Sequence, residues 1–381
     1  MKWEKVKLGE LYEVHNGLSK AGKFFGEGYP FLTFSTVFNN YFIPKQITDL
    51  VQSTEKEQES YSIRRGDVFV TRTSETSDEL GMSCVALKDY PMATYNGFTK
   101  RMRPITNRVF PEYIGYYMRL PSFRGEFRAF STMTTRASLR NEDLLGLEVK
   151  LPSIEIQKQI AGILSVYDDL IENNQKQIKL LEEAAQRLYK EWFVDLRFPG
   201  HENTKIVDGV PEGWSRGLLK ELISVNYGKD HKKAPDDGNI PVYGSGGLMR
   251  KCNKSLFSGE AVLIPRKGSL NNIMYVDETF WTVDTMFYAT MKQPHTAIFV
   301  YFFVKAFDMY SMNIGAAVPS MTTKILDAMD VVIPDKETLE KFDKYAKVYF
   351  NKIKTLQGQN DRLKIARDLL LPKLMSGKVE V

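Results

Sequence analysis

Apolar residues recur at alternating spacings of three and four along two long stretches of the chain. The first seam runs from Ile160 to Trp192 and the second from Leu339 to Leu374. Because this spacing is typical of helices that pack along a heptad seam, the pattern predicts two long α-helices paired as a coiled coil. Proline removes a backbone donor and clashes with the preceding turn, so Pro372 is expected to end the second helix.

Polar residues interrupt both seams, with Asn174 in the first and Asn360 and Arg367 in the second. An antiparallel pair related by a pseudo-twofold axis, taken about the ends of the first seam, places Asn174 opposite Asn360. A parallel pair would set Asn174 against Leu356 and leave two unpaired amides, at a cost of about 1–3 kcal/mol each if buried. The pattern favours an antiparallel coiled coil with both asparagines in one layer. The alternative is that both are merely half-exposed seam residues.

The chain also contains an internal repeat. The segment WEKVKLGELYEVHNG begins at Trp3 and WSRGLLKELISVNYG begins at Trp214, an offset of 211. Further on, ASLRNEDLLGLEVKLP (137–152) resembles PSMTTKILDAMDVVIP (319–334) at an offset of 182. Two matches in the same order predict two similar domains, the second about 29 residues shorter in its middle.

Each copy predicts a mixed domain followed by one long helix. Short β-rich runs such as DVFVTR (67–72) and AVLIPR (261–266) lie between Gly, Pro and Asp turns. The predicted fold class is α+β, with two mixed α/β domains joined by two long helices that form an antiparallel coiled coil. The predicted segments are a first domain (1–152), a first helix (153–197), a second domain (198–335, with a linker at 198–213) and a second helix with a C-terminal tail (336–381).

The charge and cysteine content exclude few classes of protein. Lys and Arg number 52 against 47 Asp and Glu, a net charge of +5, which permits a nucleic-acid partner without arguing for one. Cys84 and Cys252 match no metal or redox spacing, so the expected setting is the reducing cytosol. The start of the chain lacks a signal-like apolar core, and the most apolar run (297–304) is too short to span a bilayer. We expect a soluble cytoplasmic protein whose apolar run is buried helix or strand.

The motifs of catalysis are missing from the sequence. None of the four histidines has metal-ligand spacing, and there is no G-x-x-x-x-G-K phosphate loop. The run YGSGGLM (243–249) is not a dinucleotide fingerprint, and no Asn or Asp is followed by Pro-Pro and an aromatic residue. We therefore predict a non-catalytic protein without a metal site.

The remaining candidate function is ligand binding by basic, hydroxyl-rich loops. Arginine can read guanine edges with two hydrogen bonds, and hydroxyls suit bases or phosphates. The candidates in the first domain are Arg72, Thr73, Ser74, Thr76, Ser77, Lys100, Arg101, Arg103, Arg136 and Arg140. Those in the second domain are Lys229, Lys232, Lys233, Tyr243, Ser245, Arg266, Lys267, Ser269, Asn271 and Asn272. For any one loop a solvated turn is the simpler interpretation, but such loops in two matching domains predict contact with double-stranded DNA.

Several longer motifs resemble those of one family over nearly the full length. They are LPSIEIQKQIAGILSVYDDLIENNQKQIKLLEE (151–183), NIPVYGSGGLM (239–249), AVLIPRKGSL (261–270), FWTVDTMFY (280–288) and LLLPKLMSGKVEV (369–381). Together they resemble the specificity subunit of type I restriction–modification systems. The resemblance implies two target-recognition domains, each reading one half of a split, asymmetric DNA sequence, separated by an antiparallel helical spacer.

The resemblance also implies partners and site residues. Two methyltransferase (M) subunits would dock on the helices and motor-nuclease (R) subunits would join them. S-adenosylmethionine, ATP and Mg would be bound by those partners rather than by this chain. In the second domain, the loop with Arg266, Lys267 and Ser269 and the loop with Tyr243 and Ser245 match the family pattern. The first domain departs from it, with FLTFST in place of VYGSGG and RTSET in place of RKGS.

Three other interpretations stay open on the sequence alone. A related recognition subunit could serve a restriction system without a motor. An enzyme, either a nuclease or a fused methyltransferase, is disfavoured by the missing motifs. A coiled-coil scaffold that does not bind DNA would leave the basic loops without a role.

Overall fold

The computed structural model describes residues 3–74, 79–129, 137–312 and 320–381. The chain separates into two compact units, one formed by Met1–Asn173 with Gln359–Val381 and the other by Asn174–Gly358. Strands and helices occur in both units, which confirms the predicted α+β class.

The first unit is built on a four-stranded antiparallel sheet of order β2-β9-β5-β7, beside a three-stranded sheet β4-β3-β8 and the pairs β1-β11 and β6-β10. Its strands are β1 (Glu4–Lys7), β2 (Tyr12–Asn16), β3 (Phe25–Leu32), β4 (Leu50–Val51), β5 (Val68–Thr71), β6 (Thr73–Ser74), β7 (Ser83–Val85), β8 (Thr94–Tyr95), β9 (Thr99–Pro104), β10 (Ala137–Ser138) and β11 (Glu148–Leu151). Its helices are α1 (Phe34–Asn39), α2 (Glu55–Ser60), α3 (Pro111–Tyr117), α4 (Pro121–Ala129), α5 (Asn141–Gly146) and the start of the long helix α6 (Ile154–Tyr189).

Alternation along β5 gives this sheet two buried faces, because successive side chains of a strand point to opposite sides. Val68 and Val70 join a core that includes Leu164 of α6. Phe69 packs on the other side against Tyr95, with ring centroids 5.0 Å apart. Burying each such side chain contributes roughly 1.5–3 kcal/mol, so the β-rich run DVFVTR forms the centre of the unit.

The second unit is built on a six-stranded sheet of order β15-β20-β18-β19-β16-β17, with the pairs β14-β21 and β12-β13. Its strands are β12 (Ile206–Val207), β13 (Val210–Pro211), β14 (Ser215–Leu218), β15 (Ile223–Tyr227), β16 (Ile240–Gly244), β17 (Gly247–Cys252), β18 (Phe257–Pro265), β19 (Met274–Thr282), β20 (Met286–Met291) and β21 (Asp330–Ile333). Its helices are α7 (Leu219–Leu222), α8 (Ala297–Lys305), α9 (Thr323–Asp327) and the start of α10 (Lys336–Met375). The apolar run at 297–304 is the buried helix α8, which confirms the expectation of a buried segment.

Elements at matched sequence offsets pair in the same way within each unit. In the first unit β1 and β11 are antiparallel, with Glu4 opposite Leu151. In the second unit β14 and β21 are antiparallel, with Ser215 opposite Ile333. Ser215 lies 211 positions after Glu4, and Ile333 lies 182 positions after Leu151.

The long helices contribute to the core of each unit in turn. In the first unit Ile160 of α6 shares a hydrophobic cluster with Leu371 and Leu374 of α10. In the second unit Trp192, in the π-helical turn Lys190–Val194 that follows α6, lies 5.9 Å from the ring of Phe342 of α10.

The two seam asparagines are buried rather than half-exposed. Asn174 keeps 8% of its surface exposed and Asn360 keeps 6%. A buried amide needs hydrogen-bond partners, whereas the surrounding leucines need only apolar contacts.

A carboxylate caps the start of α10. Asp335 accepts hydrogen bonds from Thr338 N at 2.9 Å, from Thr338 Oγ1 at 2.8 Å and from Trp214 Nε1 at 2.9 Å. Burial alone would raise the pKa of Asp335, but these hydrogen bonds hold it below its ordinary value. The cap ties Trp214, the residue directly before β14, to the helix start.

The prediction that Pro372 ends the second helix is wrong. The helix continues through Pro372 to Met375 and stops at Gly377, which has a φ of +70° and donates its N–H to the carbonyl of Leu374. Proline in the last turn forfeits one backbone hydrogen bond, and the burial of Leu374 and Met375 in the first core offsets that loss. The stop is a glycine in the left-handed region, the usual residue after a helix C-terminus.

Candidate nucleic-acid interface

Loops gather at one edge of the main sheet in the first unit. Strands β2 and β5 end at this edge, at Asn16 and Thr71, and the antiparallel strand β9 begins there at Thr99. Arg72 follows β5 directly. Its N–H donates to the carbonyl of Phe98 at 3.0 Å, and its carbonyl accepts from the N–H of Leu139 at 2.9 Å. The backbone of Arg72 is therefore held between two neighbouring segments.

A cavity of about 560 Å³ opens at this edge, lined by Asn16, Arg72, Lys100, Leu139, Arg140, Asn141 and Glu142. Arg72 Nη1 donates to Asn16 Oδ1 at 3.4 Å, while its buried Nε has no hydrogen-bond partner among the described residues. Lys100 is 6% exposed and donates to the side-chain oxygen of Asn141. Burial and the nearby charge of Arg72 lower the pKa of Lys100. Arg72 and Lys100 thus line one cavity, together with Arg140 and the carboxylate of Glu142.

The structure places Arg101 and Arg103 away from this cavity. Alternation along β9 turns both to the other face of the sheet. Arg101 is 3% exposed, lies over the ring of Tyr95 at 5.5 Å and donates to the carbonyl of Ser62 at 2.8 Å. Arg103 forms a buried ion pair with Asp67 at 2.6 Å. Both guanidiniums hold the fold of the unit.

The remaining first-domain candidates are exposed or undescribed. Arg140 is exposed at the cavity rim and pairs with Asp143 at 2.8 Å. Thr73 and Ser74 form β6, opposite Ser138 and Ala137, and their side chains are not among those described. Thr76, Ser77 and Arg136 lie outside the described residues.

The second unit gathers its candidate loops at the corresponding edge of its sheet. Strands β15, β16 and β18 end there and β20 begins there. Arg266 follows β18, and its N–H donates to the carbonyl of Thr285 at 2.8 Å. Its carbonyl accepts from the N–H of Met321 at 2.9 Å. Its guanidinium lies 5.6 Å from the ring of Tyr227, at the end of β15.

Hydrogen bonds between loops fix the conformation of residues 266–272. Asn272 Nδ2 donates to the carbonyl of Ser245 at 2.8 Å, and Asn271 Nδ2 donates to Asp308 Oδ1 at 2.9 Å. Gly268 has a φ of +82°, and a Cβ there would lie 2.6 Å from Ser245 Oγ. Glycine is therefore required at 268. The side chain of Asn271 braces the loop, while Lys267 and Ser269 are exposed on it.

The other second-domain candidates differ in availability. Lys229, Lys232 and Lys233 are exposed. The half-buried Tyr243 donates its hydroxyl to Glu278 Oε1 at 2.5 Å, and burial together with that carboxylate raises the pKa of Tyr243. This hydroxyl therefore already donates its hydrogen bond to a residue of the same unit.

Sequence reasoning missed three residues that surround the two arginines. Asn16 beside Arg72 and Tyr227 beneath Arg266 lie 211 positions apart, each directly before a glycine that the repeat aligns. Their strand partners are Lys100 and Phe287 respectively, and Phe287 is the third missed residue. The signal that could have found the first two is the repeat offset, because it pairs Asn16 with Tyr227 from the sequence alone.

Two further properties concern the described residues only. No group of three His, Cys, Asp or Glu side chains is placed to hold a metal ion. No helix has both the length and the apolar character needed to cross a bilayer.

Comparisons with known proteins agree on one family. Residues 1–183 and 211–364 match the family described as "Type I restriction modification DNA specificity domain". Over its whole length the chain is 25% identical to the type I restriction enzyme MjaIX specificity subunit of Methanocaldococcus jannaschii, of which the match covers 94%. It is 22% identical to the type I restriction enzyme HindI specificity subunit of Haemophilus influenzae, with 99% of both proteins covered.

A solved structure shares the fold. The type I restriction–modification S subunit from M. genitalium aligns with a TM-score of 0.58 at 18% identity, covering 98% of this chain and 96% of that one.

Proposed function

The chain belongs to the type I restriction–modification DNA specificity family, and we propose that it is the non-catalytic subunit that recognises DNA by sequence. Each unit would read one half of a bipartite target. The recognised sequence would direct methylation and cleavage by partner subunits.

One observation carries this proposal. Arg72 and Arg266 occupy the same backbone position, directly after a central strand at a loop-rich sheet edge, with the same pair of backbone hydrogen bonds. Arginine at such an edge suits DNA, because its guanidinium can bind either a backbone phosphate or the two acceptors of guanine in the major groove. Their surroundings differ, with Asn16 beside one and Tyr227 beside the other, which suits an asymmetric target.

The proposed contacts follow the burial of each candidate. The exposed lysines Lys229, Lys232 and Lys267 would meet phosphates and position the protein. Arg101 and Asn271 would contribute without touching DNA, because they hold the loops that carry the contacting residues.

The two long helices would form the spacer between the half-sites. The pairing of β1 with β11 and of β14 with β21 at the repeat offsets supports an internal pseudo-twofold. Contacts of early α6 with late α10, and of the turn after α6 with early α10, support an antiparallel coiled coil. In that arrangement Asn174 would face Asn360, and a polar layer would fix the register of the helices. Inverted reading domains suit half-sites about one helical turn of DNA apart.

Exposed apolar side chains on the helices support docking of partner subunits. On α6 they include Val166 (55% exposed) and Leu170 (45%), and on α10 they include Val348 (64%), Ile365 (60%) and Leu369 (63%). Apolar residues exposed at helical spacing are typical of protein interfaces. We assign these exposed residues to contact with the methyltransferase subunits, which would bind S-adenosylmethionine. ATP and Mg would be bound by motor-nuclease subunits.

Methylation mapping tests the proposal. A host that carries this chain and the methyltransferase subunit of its system should acquire methylated adenines in one split, asymmetric sequence. Arg266→Ala should relax one position of one half-site, with a loss of discrimination of about 1–3 kcal/mol. If the host acquires no sequence-specific methylation that depends on this chain, the proposal is wrong.

A further inference from the structure

The two equivalent arginines stand in opposite chemical surroundings. Register pairs Asn16 with Lys100 in the first unit and Tyr227 with Phe287 in the second, at matched positions of the two sheets. A polar and cationic pair therefore underlies Arg72, and an aromatic pair underlies the equivalent arginine of the second unit.

The same contrast extends to the neighbouring helix starts. Arg140 and Asn141 line the cavity of the first unit. At the offset of 182 the second unit has Thr322 and Thr323, and Thr322 caps α9 by accepting from Ile325 N at 3.3 Å. The second unit thus has no arginine or lysine at these matched positions.

The cavity of the first unit is electrostatically unbalanced among the described residues. The buried Lys100 donates to the neutral amide of Asn141, and its pKa is lowered by burial and by Arg72. The carboxylate of Glu142 also lines the cavity, and that of Asp143 is engaged by Arg140. Three cations (Arg72, Lys100 and Arg140) therefore stand there against two carboxylates. Burying like charges together costs free energy that a bound anion would offset, since charge-assisted hydrogen bonds are the stronger ones.

The surroundings of Arg266 favour a different use. Its guanidinium lies over Tyr227, whose ring is in edge contact with Phe287 at 5.0 Å. A guanidinium held by an aromatic face keeps its plane fixed, and among the described residues the fork of Arg266 makes one long hydrogen bond, from Nη1 to the carbonyl of Asp284 at 3.5 Å. Such a fork matches a base edge that offers two acceptors.

We infer that Arg72 and Lys100 together hold one phosphodiester of the DNA backbone, whereas Arg266 reads a base edge. The inference rests on the proposed DNA recognition and divides it between two kinds of contact. At the end of its central strand the first unit binds the DNA backbone through charge. At the equivalent position the second unit distinguishes bases through the geometry of the hydrogen bonds of Arg266.

The experiment measures binding of the full chain, in complex with its methyltransferase subunits, to duplex DNA as a function of salt. The probes are a duplex with the target found by methylation mapping and a scrambled duplex of equal length. The variants are Lys100→Met, Arg72→Gln and Arg266→Lys. The control is Lys88→Met, which removes an exposed lysine just beyond the opposite end of β7.

Lys100→Met and Arg72→Gln should each weaken binding to both duplexes alike. Each should reduce the slope of log K against log salt by up to about 0.9, the value for one phosphate contact, without changing the methylated sequence. Arg266→Lys keeps its charge and should leave that slope unchanged, while losing roughly tenfold or more in preference at one base pair. The control should match the wild type in both measurements.

The outcomes separate this inference from the proposed function. If the wild-type complex shows no preference for the target duplex, sequence-specific recognition itself fails. If it shows that preference but Lys100→Met and Arg72→Gln leave the salt slope unchanged, or change the methylated bases, the phosphate assignment is wrong. Should Lys100→Met fail to fold, Arg72→Gln alone decides. A reduced salt slope in Arg266→Lys would overturn the assignment of Arg266 to a base.

Discussion

The ion pair between Asp168 and Arg367 should be a main determinant of how α10 is held in the first unit. Arg367 Nη1 donates to Asp168 Oδ1, and the hydroxyl of Tyr116 donates to Asp168 Oδ2 at 2.5 Å. The Arg367 guanidinium also lies 4.7 Å from the ring of Tyr41 and 2.9 Å from the exposed carboxylate of Asp368. One carboxylate thus joins two helices and a tyrosine.

Asp168→Asn keeps the shape of the side chain and removes the charge. Removing one partner of a buried pair costs about 3–5 kcal/mol. Here the Asp168 side chain retains 26% exposure and Arg367 keeps its contact with Asp368, so we expect a loss of about 2–3 kcal/mol. The double variant Asp168→Asn, Arg367→Met leaves no buried charge and should recover to within about 1 kcal/mol of the wild type.

Amide hydrogen exchange followed by mass spectrometry localises the effect. Peptides from 359–375 should exchange about 30- to 150-fold faster in Asp168→Asn, since each 1.4 kcal/mol is tenfold. The control is Glu337→Gln, which breaks an exposed pair with Lys341 and should cost under about 0.5 kcal/mol. A change below twofold in the single variant, or a double variant as unstable as the sum of both singles, would refute the reasoning.

Three further predictions concern caps and the polar layer. Asp335→Ala should cost about 1 kcal/mol at pH 7. Because folding lowers the pKa of this carboxyl, the difference should be lost as the pH falls below about 3.9, which urea titrations at several pH values check. Gly377→Ala should destabilise the first unit by about 1–2 kcal/mol, because φ is +70° and the new Cβ would lie 2.8 Å from Trp3 Nε1; hydrogen exchange of C-terminal peptides measures this. Asn174→Leu and Asn360→Leu should each cost about 1–3 kcal/mol while the double variant recovers, and a double-mutant cycle without coupling would contradict the shared layer.

Sequence pattern predicted the α+β class because its signals are local. The β-rich runs DVFVTR and AVLIPR form β5 and β18, and the three-four spacing marks α6 and α10. Pro372 misled because the local preference of proline is weaker than the burial of the residues that follow it. Tertiary packing decided where the helix ends.

The candidate site was less predictable, because one residue of strand register decides which side chains face a loop edge. Lys100 and Arg101 are adjacent, yet Lys100 lines the cavity while Arg101 points to the opposite face. Composition alone cannot distinguish these two basic side chains, because it does not give the direction in which each one points. Asn271 likewise has the chemistry of a base reader but is occupied by Asp308, a contact between loops far apart in sequence.

The division of the chain has a consequence for its synthesis. The second unit is continuous in sequence, whereas the first unit takes its final helical segment from residues 359–381. A ribosome adds about 5–20 residues per second, so the early part of the first unit waits on the order of 10–40 seconds for that segment. During this interval the face of Ile160 and Leu164 lacks the leucines that later cover it. A chain truncated before residue 359 would therefore leave Ile160 and Leu164 without Leu371 and Leu374, the leucines of their hydrophobic cluster.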